Sequence, residues 1–188
     1  MLLACIGVAG YAMALILNPA IAPPFLQDGL KNGDLRYYFH FLGGSVALVT
    51  GTLQFSQSIR NNWLNVHRWI GRVYLTAVLL SGGAGLIMAY SSAGNLLTDL
   101  GFGLLGLFWL ITGTKAYTAI RNKNVKAHKI WMIRNYALTL AAVSLRIYLP
   151  LSLGVFQFDF QTAYMVIAWA CWVPNLVLAE FLFVRKVS

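Results

Sequence analysis

Residues 69–90, which read WIGRVYLTAVLLSGGAGLIMAY, decide the fold class of this chain. The run carries a single charged residue, Arg72. A helix needs about 20 predominantly apolar residues to cross the hydrocarbon core of a bilayer. This stretch is therefore predicted to form a transmembrane helix.

Similar apolar runs occupy most of the remaining sequence. They lie at residues 3–22, 37–57, 100–120, 130–150 and 162–184. The connections between the runs lie at 23–36, 58–68, 91–99, 121–129 and 151–161. These connections are short and rich in turn-forming or polar residues, so consecutive helices should be antiparallel. We therefore expect an all-α, polytopic membrane protein with six transmembrane helices in a single domain, residues 1–188. Gly82, Gly83 and Gly85 should interrupt the third helix.

The composition agrees with a membrane protein. Of the 188 residues, 59% are hydrophobic and 10% are charged, whereas a typical soluble domain is about 45–50% apolar and about 25% charged. The formal net charge of +9 would suggest nucleic-acid binding in a soluble protein. Here the basic residues lie in short segments between apolar runs, as membrane topology requires. The lipid bilayer, and not nucleic acid, is the expected partner.

The basic residues also favour one orientation. If the N-terminus is cytoplasmic, only Lys31, Arg36 and Arg146 of the 14 lysines and arginines lie on the outer side. Because the distribution of Lys and Arg sets the orientation of membrane helices, both termini are predicted to be cytoplasmic.

The chain resembles itself at an offset of about 62 residues. Residues 50–74 read TGTLQFSQSIRNNWLNVHRWIGRVY, and residues 112–136 read TGTKAYTAIRNKNVKAHKIWMIRNY. Two unrelated apolar hairpins would share leucines and glycines, but hardly Ile-Arg-Asn followed by His and a cation. The hairpin at about 37–90 is therefore predicted to be a copy of the hairpin at about 100–150. The copies share one orientation, because an even number of crossings separates them. Together they would form a four-helix core, flanked by the helices at 3–22 and 162–184.

The repeat makes His67 and His128 equivalent, at the cytoplasmic ends of two diagonal helices. Neutral imidazole binds metals, and helix bundles build cofactor sites from side chains on facing helices. Two histidines at one depth on diagonal helices are what bis-imidazole haem ligation requires. We therefore expect the site to bind haem b, with both histidines as ligands of the iron, or a quinone.

Neighbouring residues would complete such a site. Gly71, one turn after His67, would leave room for a flat macrocycle. The cations that would pair with its propionates are Arg68, Arg72, Lys129 and Arg134. Small residues also serve ordinary helix packing, and a histidine beside basic residues also suits contact with lipid phosphate.

A second candidate site lies at the outer side. His40 lies near the outer end of the second helix, where the repeat places Phe102, so a second pair of haem ligands is not expected. With Arg36 and Arg146, His40 would line a site for a quinone head group or an anion. The alternative is that His40 hydrogen-bonds a neighbouring helix.

Four stretches of the chain resemble the bacterial membrane-protein family called domain of unknown function 2306. They are HFLGG at 40–44, GTLQF at 51–55, VHRWIGRVY at 66–74 and HKIWMIR at 128–134. The likeness runs from about residue 36 to 150. It implies that the three histidines, with Arg72, Arg134 and Arg146, form the family pattern, and that the membrane is the bacterial cytoplasmic membrane. The family name carries no activity.

The segment HRWIG at 67–71 also looks like the His-Arg-x-x-Gly segment of cytochrome b561-type membrane proteins. Those proteins hold haem between the helices of a four-helix core and pass electrons across the bilayer. This chain departs from their pattern twice: the fourth predicted helix has no histidine, and Met132 stands one turn after His128. The resemblance therefore implies a single haem at the cytoplasmic side.

Two functions follow from these observations. The first is a membrane subunit that binds haem b or a quinone in electron transfer, with other subunits of a membrane complex as expected partners. The second is a cofactor-free interaction or transport protein that binds lipid phosphate, a small anion or a partner subunit. Only Glu180 lies within a predicted span, so a di-metal carboxylate centre is excluded. No nucleotide-binding loop or nucleophile–base arrangement is recognisable, and the sequence leaves enzymatic activity open.

Overall fold

The computed structural model describes residues 1–90 and 95–187, and these residues form helices and no β-strand. The all-α prediction is confirmed for this part of the chain. The helices are α1 (Leu2–Leu17), α2 (Pro24–Lys31), α3 (Leu35–Gln54), α4 (Gln57–Asn62), α5 (Leu64–Ala89), α6 (Leu96–Arg121), α7 (Val125–Thr139), α8 (Ala141–Pro150), α9 (Phe160–Ala170), α10 (Val173–Ala179) and α11 (Arg185–Val187).

Within residues 1–90 and 95–187, four helical segments are long and apolar enough to cross a membrane. They are Leu64–Ala89, Leu96–Arg121, Val125–Val155 and Phe160–Val187. They coincide with the last four predicted spans. At the first two predicted spans the chain is also helical, as α1 and α3, but α1 is shorter than these four segments and α3, with 20 residues, is less apolar than they are. The structure therefore supports four of the six predicted transmembrane helices by length and composition, and the other two stay a prediction.

The first two helices end earlier than the sequence predicted. The run at 3–22 leaves the α-helix after Leu17, since Pro19 disfavours helical backbone in the residue before it. Asn18 then caps a 3₁₀ turn, Pro19–Ile21, by accepting a hydrogen bond from the Ala20 N–H at 3.3 Å. The run at 37–57 ends at Gln54, and Ser56 caps the short helix α4 that follows.

Helix α2 lies in a segment that was predicted to be only a connection. Pro24 stands at its first position. A backbone N–H at this position has no acceptor within the helix, so proline, which lacks the N–H, costs no hydrogen bond there. Leu26 and Leu30 of α2 belong to a hydrophobic cluster with α1 and α3. A side chain at Gly29 would collide with the ring of Tyr37, so glycine allows α2 to pack this closely.

The glycines of the third predicted span do not interrupt it, and that expectation was wrong. Helix α5 runs unbroken from Leu64 to Ala89. A glycine weakens a helix interior by about 1 kcal/mol, which close packing outweighs. A Cβ at Gly85 would lie 3.0 Å from Nδ1 of His40, so this glycine makes room for a ring on α3.

The chain divides into two compact units, Met1–Gly85 and Leu86–Ser188. In the first unit, α1 packs on α3; in the second, α6 packs on α7 and α9. The single domain stays a prediction. The predicted connection at 91–99 lies partly outside the described residues, and its last part belongs to α6, whose first N–H groups are capped by Asn95.

Candidate functional site

His128 lies in the first turn of α7, directly after a tight turn from α6. Asn124 caps α7 by accepting a hydrogen bond from the Ala127 N–H at 2.9 Å. Lys123 in the turn has a positive φ of 58°. The turn places the half-buried ring of His128 against α6, where Nδ1 lies 2.8 Å from the carbonyl oxygen of Ala116.

This hydrogen bond fixes the state of the His128 ring. A carbonyl oxygen only accepts, so Nδ1 carries the hydrogen and donates it to Ala116. In the neutral imidazole, Nε2 then keeps its lone pair. Metal-binding histidines typically donate their other N–H to a carbonyl or carboxylate in this way. His128 therefore has the ring state that a metal ligand needs.

His67 lies in the first turn of α5, and its ring is half-buried. Its backbone carbonyl accepts a hydrogen bond from Nε2 of Gln54 in α3 at 3.2 Å. A Cβ at Gly71 would lie 3.2 Å from Oε1 of the same glutamine. The amide of Gln54 therefore lies in the space over Gly71 that was expected to admit a macrocycle.

His67 and His128 belong to different compact units. The structure describes each imidazole within its own unit, and their meeting at one iron stays a prediction.

The predicted propionate partners differ in their surroundings. Arg68 and Lys129 are exposed. Arg72 is also exposed, and its guanidinium lies 5.0 Å from the ring centre of Trp69. All three are thus accessible to an anionic group.

Arg134 already has an anionic partner. Its Nε and Nη2 donate to the two carboxylate oxygens of Glu180 at 2.9 and 2.7 Å. Glu180 begins a π-helical turn, Glu180–Val184, in the last candidate span. A bidentate pair of this kind is among the stronger charge-assisted contacts in proteins. The sequence hinted at this pair, because a lone carboxylate within a span needs a partner.

A buried polar network joins α6 and α7 beyond His128. Nδ2 of Asn135 donates to the carbonyl oxygen of Trp109 at 2.7 Å and to Oγ1 of Thr112 at 2.8 Å. The indole N–H of Trp109 donates to Oγ1 of Thr139 at 2.9 Å. Sequence analysis missed this network, although an asparagine inside an apolar run was its signal.

The residues of the second predicted site have separate partners. Nδ1 of His40 donates to the Ser81 carbonyl at 3.1 Å, and Oγ of Ser81 donates to the His40 carbonyl at 2.7 Å. His40 thus joins α3 to α5, the alternative considered above. Arg36 pairs with Asp34, its Nε lying 2.9 Å from the carboxylate. The Arg36 contact holds the pKa of Asp34 below its usual value.

Arg146 lies in the other unit, where Nη1 donates to the Ala142 carbonyl of its own helix at 3.3 Å. Its grouping with Arg36 and His40 stays a prediction.

One protein family matches the chain. The sequence profile of the family described as "Predicted membrane protein (DUF2306)" matches residues 37–183, which include all three histidines. No curated protein matches the chain. No solved structure matches it either.

Proposed function

Since the chain belongs to the DUF2306 family of predicted membrane proteins, we propose that it is a membrane subunit that binds haem b, or a quinone, in electron transfer. The observation that carries the proposal is the hydrogen bond from Nδ1 of His128 to the Ala116 carbonyl. It orients the ring and leaves Nε2 as an electron-pair donor.

The proposal includes six transmembrane helices, with both termini on the cytoplasmic side of a bacterial inner membrane. At 1.5 Å per residue, the 20 residues of α3 measure about 30 Å, which equals the thickness of the hydrocarbon core. The 16 residues of α1 measure about 24 Å, so α1 would need the bilayer to thin around it.

Contacts at aligned positions support the internal repeat. Gln54 aligns with Ala116, and His67 aligns with His128. Gln54 contacts His67 in the first unit, and Ala116 contacts His128 in the second. The aligned tyrosines Tyr74 and Tyr136 are both buried, at 0% and 4% exposure.

In this proposal His67 and His128 hold the iron, and the exposed Arg68, Arg72 and Lys129 neutralise the propionates. Haem b supplies reversible one-electron transfer when it is bound. The Ala116 carbonyl holds the His128 ring in one tautomer and raises its basicity. Arg134 would contribute less to binding the propionates, because Glu180 already neutralises its charge. Other subunits of a membrane complex would supply and accept the electrons.

Visible spectroscopy tests the proposal. The protein, expressed with haem precursor supplied and purified in detergent, should show b-type bands on dithionite reduction. The bands should be lost or shifted in His67→Ala and in His128→Ala. His40→Ala is the matched control, since His40 holds α3 to α5, and its bands should persist. A colourless wild-type protein would exclude haem.

Two observations favour the second candidate, a cofactor-free interaction or transport protein. The guanidinium of Arg134 is paired with Glu180, and the Gln54 amide lies over Gly71. On this alternative the basic residues contact lipid phosphate, a small anion or a partner subunit. Colourless protein that retains such a ligand through purification would support it.

A further inference from the structure

We propose that the second unit holds a binding site for the phosphate groups of an anionic lipid. The site consists of Lys115, Trp131, Arg134, Glu180 and Arg185, which we name the Trp131 cluster. This proposal rests on the proposed cytoplasmic position of these helix ends, and it does not depend on haem.

Trp131 is the platform of the cluster. Nζ of Lys115, from α6, lies 4.6 Å from its ring centre, and Cζ of Arg134, from α7, lies 4.7 Å from it. Both distances are within the range of cation–π attraction. Two cations that would otherwise repel each other are therefore held beside one half-buried indole.

A third cation comes from the C-terminal end of the chain. Arg185 lies 4.0 Å above the ring of Phe181 and attracts the Glu180 carboxylate electrostatically. Arg134 and Arg185 thus both attract the Glu180 carboxylate, and Lys115 shares the Trp131 ring with Arg134. Glu180 neutralises Arg134 through the bidentate pair and leaves two positive charges in excess.

The position of Lys115 within α6 distinguishes the Trp131 cluster from the ordinary basic residues of a cytoplasmic loop. Lys123 and Lys126 are exposed in and just after the α6–α7 turn, as membrane topology alone would place them. Lys115 lies six residues before the end of α6, so it is about 9 Å from the α6–α7 turn, measured along the helix axis. Charges at that depth are expensive unless they are paired.

Lipid phosphate is the anion that suits this position. Basic pockets between transmembrane helices on the cytoplasmic side are known to bind phospholipid head groups. The guanidinium fork that binds a carboxylate also fits a phosphate. Lys115 is exposed, and the Glu180 side chain is 41% exposed, so a head group can reach the cluster. Two excess charges match the two phosphates of a diphosphatidyl lipid such as cardiolipin.

Native mass spectrometry of the full chain in detergent tests the proposal. The probes are cardiolipin, phosphatidylglycerol and phosphatidylcholine, with inorganic phosphate as competitor. Cardiolipin should bind most tightly and phosphatidylcholine least. Lys115→Gln and Arg185→Gln should each weaken cardiolipin binding about fivefold. Glu180→Gln should strengthen it, because the Arg134 fork loses its internal partner.

Lys186→Gln is the matched control, since it removes an exposed charge next to Arg185. It should change cardiolipin binding less than twofold. Equal binding of phosphatidylcholine, or an equal effect of Lys186→Gln and Arg185→Gln, would overturn the proposal. Displacement of the lipid by millimolar inorganic phosphate would overturn the lipid as ligand in favour of a free anion.

The lipid-site proposal and the haem proposal can be refuted independently on the same samples. Absorbance of the same samples reports haem, and lipid adducts report the cluster. Lys115 and Arg185 are exposed, so their glutamine variants should fold even if Glu180→Gln does not.

Discussion

The hairpin α3–α5 of the first unit and the hairpin α6–α7 of the second have similar sequences but are held together by different contacts. In the first, Gly43 lets α5 approach so closely that a Cβ there would lie 2.9 Å from Cβ of Ser81. In the second, the aligned residue is Leu105, and a buried network centred on Asn135 joins the helices. Similar sequences thus allow different ways of packing one helix against another.

The histidines of the two hairpins differ in the same manner. In the first hairpin a glutamine side chain binds the backbone of His67. In the second the ring of His128 itself binds a backbone carbonyl. The aligned positions are in contact in both hairpins: the contact in the first involves the His67 backbone, and the contact in the second orients the His128 ring.

Close packing at Gly43 should give the largest effect on stability. Gly43→Ala would overlap Ser81 and the Ala77 carbonyl, which lies 3.1 Å from the added atom. Overpacking of this kind costs about 2 kcal/mol of unfolding free energy. Gly83→Ala, with nothing within 4 Å, is the control and should be neutral or stabilising. Thermal unfolding in detergent measures both variants. Equal effects would mean that α3 and α5 are not closely packed at Gly43.

The Asn135 network should come next. Asn135→Ala removes the two hydrogen bonds that its Nδ2 donates at a fully buried position, which should cost about 1.5 kcal/mol of unfolding free energy. Val73, the aligned residue of the first hairpin, is exposed. Val73→Ala should therefore change stability by less than about 0.5 kcal/mol. A comparable loss in both variants would mean that the two hairpins do not differ as described.

The bond between Ser81 and His40 should have a smaller effect. Ser81→Ala removes the hydroxyl that donates to the His40 carbonyl, worth about 1 kcal/mol. Thr76→Ala, at an exposed site of the same helix, is the control. Unfolding midpoints that are equal for the two variants would argue against the bond.

The smallest effect should come from pH, outside the hairpins. Asp159 caps α9 by accepting a hydrogen bond from the Thr162 N–H at 2.9 Å, and this contact lowers the pKa of its carboxyl. A lowered pKa stabilises the fold above about pH 4, and the contribution is lost as the pH falls through the folded value. Asp159→Asn keeps a capping oxygen but cannot titrate. The wild type should lose thermal stability relative to this variant between pH 5 and about pH 3, and parallel curves would refute the role of the cap.

Much of the fold could be predicted, because apolar length alone indicates the spans. The last four spans agree with helices of the structure. Helix α2 was missed because the Pro23-Pro24 pair was interpreted as a turn signal, although proline also begins helices. The unbroken α5 shows the opposite error, in which three glycines were interpreted as a break, whereas one of them, Gly85, makes room for the ring of His40.

The candidate site was less predictable, because partners distant in sequence decide its chemistry. The internal repeat predicted that His128 faces the centre of a helix bundle, but not that its ring donates to the Ala116 carbonyl. Arg134 was assigned to a propionate, and its pairing with Glu180 depends on how α7 packs against the end of the chain. Side-chain pairs of this kind follow from tertiary packing, which local sequence does not encode.

Electron paramagnetic resonance of the ferric protein tests the central claim most directly, since the signal reports both axial ligands of the iron. If His67 and His128 share one haem, the wild type should give a low-spin spectrum, and each single alanine variant should become high-spin or lose its iron. A wild-type spectrum without a low-spin haem signal, or one that survives either substitution unchanged, would contradict the account.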